Sequence, residues 1–174
     1  MSAPSRLAGG STAAGSPCPG CGLVLPESAG PRHPYIGASA SCWALYGELL
    51  VREYGELRYP RVHRLMVDAY AVQHPGGDDR RAVQSVAVHL ASLLLVLEGG
   101  VPPERATAEI RALLRRAPGF ERLEPPSPNG TVTVLDVLAA DGAVEHERAV
   151  ERWAREVWRA WSRHHATVRR WLGA

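Results

Sequence analysis

From Ser39 onward the apolar residues recur every three or four positions, with polar residues between them. That period marks helices with one buried face. Between Ser39 and Gly55, Cys42, Tyr46, Leu49, Leu50 and Glu53 share a face, with Ser39 or Ser41 as N-cap and Gly55 as the stop. A second helix follows a proline turn near Tyr59 and ends at His74-Pro75. The stretch "DDRRAVQSVAVHLASLLLVLEGG" predicts a third helix, opened by an aspartate cap and closed by two glycines. Its apolar run carries His89 and is shorter than a membrane span, so a buried core helix and no membrane association are expected. "PPERATAEIRALLRRAPG" predicts a fourth, amphipathic helix with proline in its first turn.

"FERLEPPSPNG" predicts an irregular connection. The Thr-Val alternation of "TVTVLDVLAADG" permits a strand, but no partner strand is in sight. Thr133 and Asp136 have capping-box spacing, so a short helix is expected. The end of the chain predicts one long helix with a buried stripe of Trp153, Val157, Trp161, His164, Val168 and Trp171. The fold class is therefore all-α, a bundle of about five to six helices. Residues 17–174 form a single helical domain: a Pro- and Gly-rich, zinc-knuckle-like flap over 17–38 and the bundle over 39–174. Residues 1–16 read as a small, polar, disordered leader without the apolar core of a secretory signal.

A chain of 174 residues can bury one sizeable core. Its basic residues are all arginine and alternate with acidic ones on helix faces, leaving a net charge of +2. This is a solvated surface, and no nucleic-acid partner is expected. Arginine without lysine, with abundant Ala and Gly, indicates a GC-rich bacterial genome. Three cysteines, two of them in C-x-x-C, argue against a disulfide scaffold. They favour metal or redox chemistry in a cytoplasmic protein.

Cys18-Pro-Gly-Cys21-Gly allows two thiolates in one turn to grip a zinc ion. A thioredoxin-like redox role needs a βαβ setting that the pattern lacks, and plain thiols are the remaining reading. If the first two helices form an antiparallel hairpin, Cys42 lies level with position 73, beside His74. Cys18, Cys21, Cys42 and His74 are thus the candidate ligands for Zn2+. For His74 the competing role is a C-cap in the last helical turn.

The same register places Glu53 beside His63, and the next hairpin places His89 level with position 64. Glu53, His63 and His89, joined by His164 of the last helix in preference to His165, are the catalytic candidates. Such a His-rich pocket holds a second metal or activates water. A neutral hydrogen-bonded network is the alternative. Asp68 lies off that face, with an arginine of a neighbouring helix as its one foreseeable partner. Tyr70 lies on the face of His63 and His74 and can donate its hydroxyl between the two levels.

The blocks "CPGCG", "SCWALYGELLVREYG", "YPRVHRLMVDAYAVQHPG", "QSVAVHL", "LEPP" and "WAREVWRAWSRHHATVRRWL" together resemble an uncharacterised bacterial family, a domain of unknown function. The resemblance covers nearly all of the chain after the leader. It implies an intracellular bacterial protein and supplies no activity. Its motif positions correspond to Cys18, Cys21, Cys42, His63, His74, His89 and the His164-His165 pair.

The expected function is that of a zinc-binding helical protein. It is either a metal-dependent enzyme acting on a small molecule through the His-rich pocket, or a non-enzymatic binding or regulatory module with a purely structural zinc. The partner is correspondingly a small molecule or a protein.

Overall fold

The computed structural model describes residues 15–55, 60–116 and 119–173. Residues 1–14 of the expected leader, and 56–59 of the expected turn between the first two helices, lie outside the described residues. Among the described residues seven α-helices follow in order: α1 (Ala40–Gly55), α2 (Pro60–Gln73), α3 (Arg80–Leu97), α4 (Pro103–Arg116), α5 (Val134–Leu138), α6 (Gly142–Ala160) and α7 (His165–Leu172). A 3-10 turn, Ser162–His164, separates the last two. Among the described residues there is no β-strand, only two isolated bridges, Pro17 with Val24 and Ile36 with Pro75. The expected all-α bundle is the fold.

α2 is the central helix, packed most extensively against α6 and then α3. Its Leu65, Met66, Ala69, Tyr70 and Val72 are buried. From α6, Trp153 and Val157 are fully buried, and Trp161 just beyond its end is as well. A buried tryptophan removes about 200 Å² from water, worth about 5 kcal/mol at 25 cal/mol per Å². α1 packs mainly on α5 and more lightly on α2.

The helix ends are set by local chemistry. Asp79 caps α3, its carboxylate accepting from Arg81 N at 2.9 Å and Ala82 N at 3.2 Å. Ser39 Oγ accepts from Cys42 N at 3.2 Å at the start of α1. The short helix α5 forms where capping-box spacing predicts it, and Asp136 Oδ2 accepts from Thr133 N at 2.7 Å. The far end of α5 is closed in trans: Arg52 of α1 donates to the carbonyls of Val137, Leu138 and Ala140.

The expected single C-terminal helix is broken. Trp161 N bonds both Val157 O and Trp158 O, and His164 N bonds Trp161 O at 2.8 Å, which tightens the chain into the 3-10 turn. The Trp161 indole also donates to Asn129 Oδ1 at 3.1 Å, which fixes its side chain inside the core. The break lets α7 pack on α3 while Val168 stays buried. By length and composition alone α3 is apolar enough to cross a membrane, although half of that segment is buried inside the bundle.

A polar network ties the irregular 119–133 segment to α2 and α6. Gln73 Nε2 donates to the carbonyls of Asn129 and Val132 at 3.0 and 2.8 Å. Asn129 Nδ2 donates to the carbonyls of Val72 and Gln73 at 2.9 and 3.0 Å. Trp153 Nε1 donates to Gln73 Oε1 at 3.0 Å. Both amides are buried and use both ends, so the interior keeps these polar groups without leaving them unpaired.

Candidate metal centre

The flap is built as a tight turn. Gly22 N bonds Cys18 O at 2.8 Å and Cys18 N bonds Leu23 O at 2.8 Å. Gly22 has φ +76°, the left-handed region that glycine enters freely. Gly20 lies flush on the end of α2: a Cβ there would stand 2.5 Å from His74 Cδ2 and 2.7 Å from Gln73 O. The other edge of the flap is pinned by Gly37 N bonding His74 O at 2.9 Å and by the Ile36–Pro75 bridge.

This arrangement brings Cys18, Cys21, Cys42 and His74 together, with all four donor atoms within 4.8 Å of one another. Cys21 Sγ lies 3.8 Å from Cys42 Sγ, and Cys42 Sγ lies 3.4 Å from His74 Nε2. The cysteines are free thiols. A tetrahedron with zinc–sulfur bonds of about 2.3 Å has sulfur–sulfur edges of about 3.8 Å, so the donor set fits a tetrahedral ion. Cys18, Cys42 and His74 are buried, and Cys21 is half-buried.

The surroundings orient the donors. His74 Nδ1 donates to Tyr70 O at 2.8 Å, one turn back, which leaves Nε2 toward the sulfurs. Ser39 N donates to Cys18 Sγ at 3.4 Å and Tyr70 Oη donates to Cys42 Sγ at 3.7 Å. Burial, and the sulfurs beside it, hold the Tyr70 phenol well above its usual range, so it remains a donor. Hydrogen bonds from Cys21 and Cys42 push the Cys18 thiol down, whereas the bond to Cys18 pushes Cys42 up. Burial disfavours a charged His74, but its bonds to Cys18 and Cys21 outweigh that and raise it to about 9. Negative charge thus collects on sulfur, where a cation would bind.

The second constellation is divided. Glu53 and His63 meet, with Nδ1 2.6 Å from Oε2. His63 Nε2 lies 3.3 Å from Tyr54 Oη. The other oxygen of Glu53 accepts from His146 Nε2 of α6 at 2.8 Å. His89 does not join them. Its Nδ1 bonds Asp68 Oδ1 at 2.7 Å, so α3 meets α2 about one turn away from the simple hairpin register. His164 is also displaced: in the 3-10 turn it is half-buried, and its Nε2 bonds Glu124 O at 2.8 Å. Its neighbour His165 stacks on Trp158 with ring centres 3.7 Å apart. Among the described residues, the cysteine–histidine tetrad is the one grouping of three or more such side chains that could hold a metal ion.

Two residues central to these clusters have little sequence signal. His146 lies seven positions before Trp153, on the apolar stripe of α6, and that spacing is the clue that locates it. Asp68 is fully buried and accepts from Arg64 Nε at 3.1 Å, from His89 and from Ser92 Oγ. Its partners come from α3 and from its own helix, and only the α2–α3 register brings them together.

No curated protein and no solved structure matches the chain. A family model described as a family of unknown function (DUF5946) matches residues 16–162, a span that contains the flap, the tetrad, Glu53, Asp68, His89 and His146. The chain belongs to that family.

Proposed function

We propose that Cys18, Cys21, Cys42 and His74 bind one zinc ion as a closed structural centre, and that the chain is a binding or regulatory module built on that centre. The convergence of three sulfurs and one imidazole nitrogen within 4.8 Å carries this reading. Three thiolates and a histidine complete a four-coordinate shell with no position left for substrate or water, the arrangement of structural and not catalytic zinc. The ion would join the flap to the start of α1 and the end of α2. Three unpaired thiols support a reducing, cytoplasmic setting. The divided second constellation supports a hydrogen-bonded carboxylate–histidine network over a second metal at that level.

Chelation tests this reading. Removing one equivalent of zinc should lower the unfolding midpoint and abolish protection of the flap amides, since ion binding is coupled to order in the flap. Purified protein that carries no metal, or that loses its metal with no change in stability or flap protection, contradicts it.

A further inference from the structure

Asp68 of α2 and His89 of α3 pair beside an aromatic cleft, and His89 is part of its lining. The Asp68 carboxylate is fully buried, and its charge is met by Arg64, by the Ser92 hydroxyl and by His89 Nδ1. His89 keeps 18% of its side chain exposed. With Nδ1 committed to the carboxylate, Nε2 on the other edge of the ring is the nitrogen left for a further partner. His89 lines a cleft of ≈ 140 Å³ together with Tyr35, Trp43, Tyr46, Tyr70 and Ser85 among others. Tyr46 and Tyr70 stack on each other with centres 3.9 Å apart, and Trp43 is 5.3 Å from Tyr46. These rings form the floor of the cleft.

A second cleft, of ≈ 360 Å³, continues outward from Tyr35, Ser85 and His89 and is lined by Gln84 and the exposed Arg81. An apolar cavity of about 150 Å³ accommodates one benzene ring. The inner cleft is therefore the size of a single aromatic ring, and the outer one has room and a cation for an anionic substituent.

We propose that this cleft binds a small aromatic ligand whose O–H or N–H donates to His89 Nε2 and whose anionic substituent reaches Arg81. Asp68 is the positioning residue that holds the imidazole edge toward the ligand. An aromatic pocket with a few convergent polar groups is the usual form of a small-molecule site. The ring floor favours planar ligands through stacking and edge contacts. The cleft shares Tyr70 with the surroundings of the tetrad but requires no metal ion; metal content and probe binding are read in separate measurements.

The test uses the full chain with labelled histidine, and three probes: para-hydroxybenzoate, phenol and cyclohexanecarboxylate. Para-hydroxybenzoate should shift the His89 ring nitrogens and the Trp43 indole saturably, with a Kd in the millimolar range or tighter. Phenol should bind more weakly at the same residues, and cyclohexanecarboxylate more weakly than para-hydroxybenzoate. His89→Ala should weaken para-hydroxybenzoate about fivefold, the loss of one hydrogen bond. Arg81→Ala should weaken it roughly two- to fivefold while leaving phenol unchanged. Because Arg81 is exposed, this second variant decides the matter if His89→Ala fails to fold. The proposal is overturned if no probe shifts His89, if shifts map to another surface, if folded His89→Ala binds as wild type does, or if Arg81→Ala alters phenol as much as para-hydroxybenzoate.

Discussion

Tyr70 O accepts the Nδ1 proton of His74 from one turn back on the same helix, and that bond turns His74 Nε2 to within 3.4 Å of Cys42 Sγ. A histidine at the end of a helix would otherwise serve as a cap. Here the backbone fixes its tautomer and aim, as in metal sites where a second bond orients the ligating ring. Tyr70 also donates its hydroxyl to Cys42, so one residue steadies two of the four donors.

The fit of the flap to α2 depends on the missing side chain at Gly20. A methyl group there meets His74 Cδ2 and backbone atoms of Gln73 and His74, which have little room to retreat. Gly20→Ala should cost about 2 kcal/mol by overpacking and should also weaken zinc retention. Chemical denaturation and a competition titration with a metallochromic chelator measure the two effects. Wild-type values in both would show that the flap does not seat against α2.

Asn129 joins the connection before α5 to the end of α2 and to Trp161. Asn129→Ala leaves the Trp161 indole N–H and the carbonyls of Val72 and Gln73 short of partners in a buried setting. The expected loss is about 3 kcal/mol, against a few tenths for truncation at an exposed site. Near-UV circular dichroism should change as well, because Trp161 and Trp153 share this network.

Glu53 is buried between His63 and His146. Glu53→Gln preserves shape but presents an amide N–H₂ where one histidine needs an acceptor. A loss of about 2–3 kcal/mol is expected, with the zinc content unchanged because the tetrad is a separate cluster. If zinc is lost with Glu53→Gln while the fold persists, the two levels are not independent.

Glu156 provides a pH signature. Its carboxylate accepts from the Thr131 hydroxyl at 2.7 Å and from the backbone N–H groups of Thr131 and Val132. The Thr131 hydroxyl foremost, against a smaller opposing effect of burial, holds this carboxyl below the usual range. The folded state therefore favours the ionised form. Its contribution is complete above the ordinary carboxylate pKa of about 4.3 and is lost as pH falls through the lower folded value. Glu156→Gln should cost about 1 kcal/mol at neutral pH, discounted for partial exposure, with the difference from wild type closing in acid. Urea unfolding across that range would show no gap, or one that does not change with pH, if these bonds do not favour the ionised carboxylate.

The helices were legible because their apolar spacing, caps and glycine stops agree, as at Asp79 of α3 and Thr133 of α5. The contacts of Cys42 with His74 and of Glu53 with His63 follow from one antiparallel register, which two helices of steady period fix from their sequence alone. The next register did not follow. The chain leaves α2 in an irregular segment held to the flap by the Ile36–Pro75 bridge, a contact between distant residues that no local pattern encodes. A shift of one turn then exchanges His63 for Asp68 as the neighbour of His89. The break at Trp161 was hidden for a similar reason. Its stripe continues through Val168, and the bond to Asn129 that accompanies the break comes from a loop with no periodicity.

Cys18, Cys21, Cys42 and His74 are proposed to share one zinc ion, and the proposed coupling of metal to flap order depends on it. Zinc-edge X-ray absorption on the purified protein, with elemental analysis of the same sample, addresses it most directly. One zinc per chain is expected, with three sulfurs at about 2.3 Å and one nitrogen at about 2.0 Å, and loss of a sulfur or of the metal in Cys42→Ser. A metal-free protein, a shell of nitrogen and oxygen donors, or an unchanged sulfur shell in Cys42→Ser would contradict it.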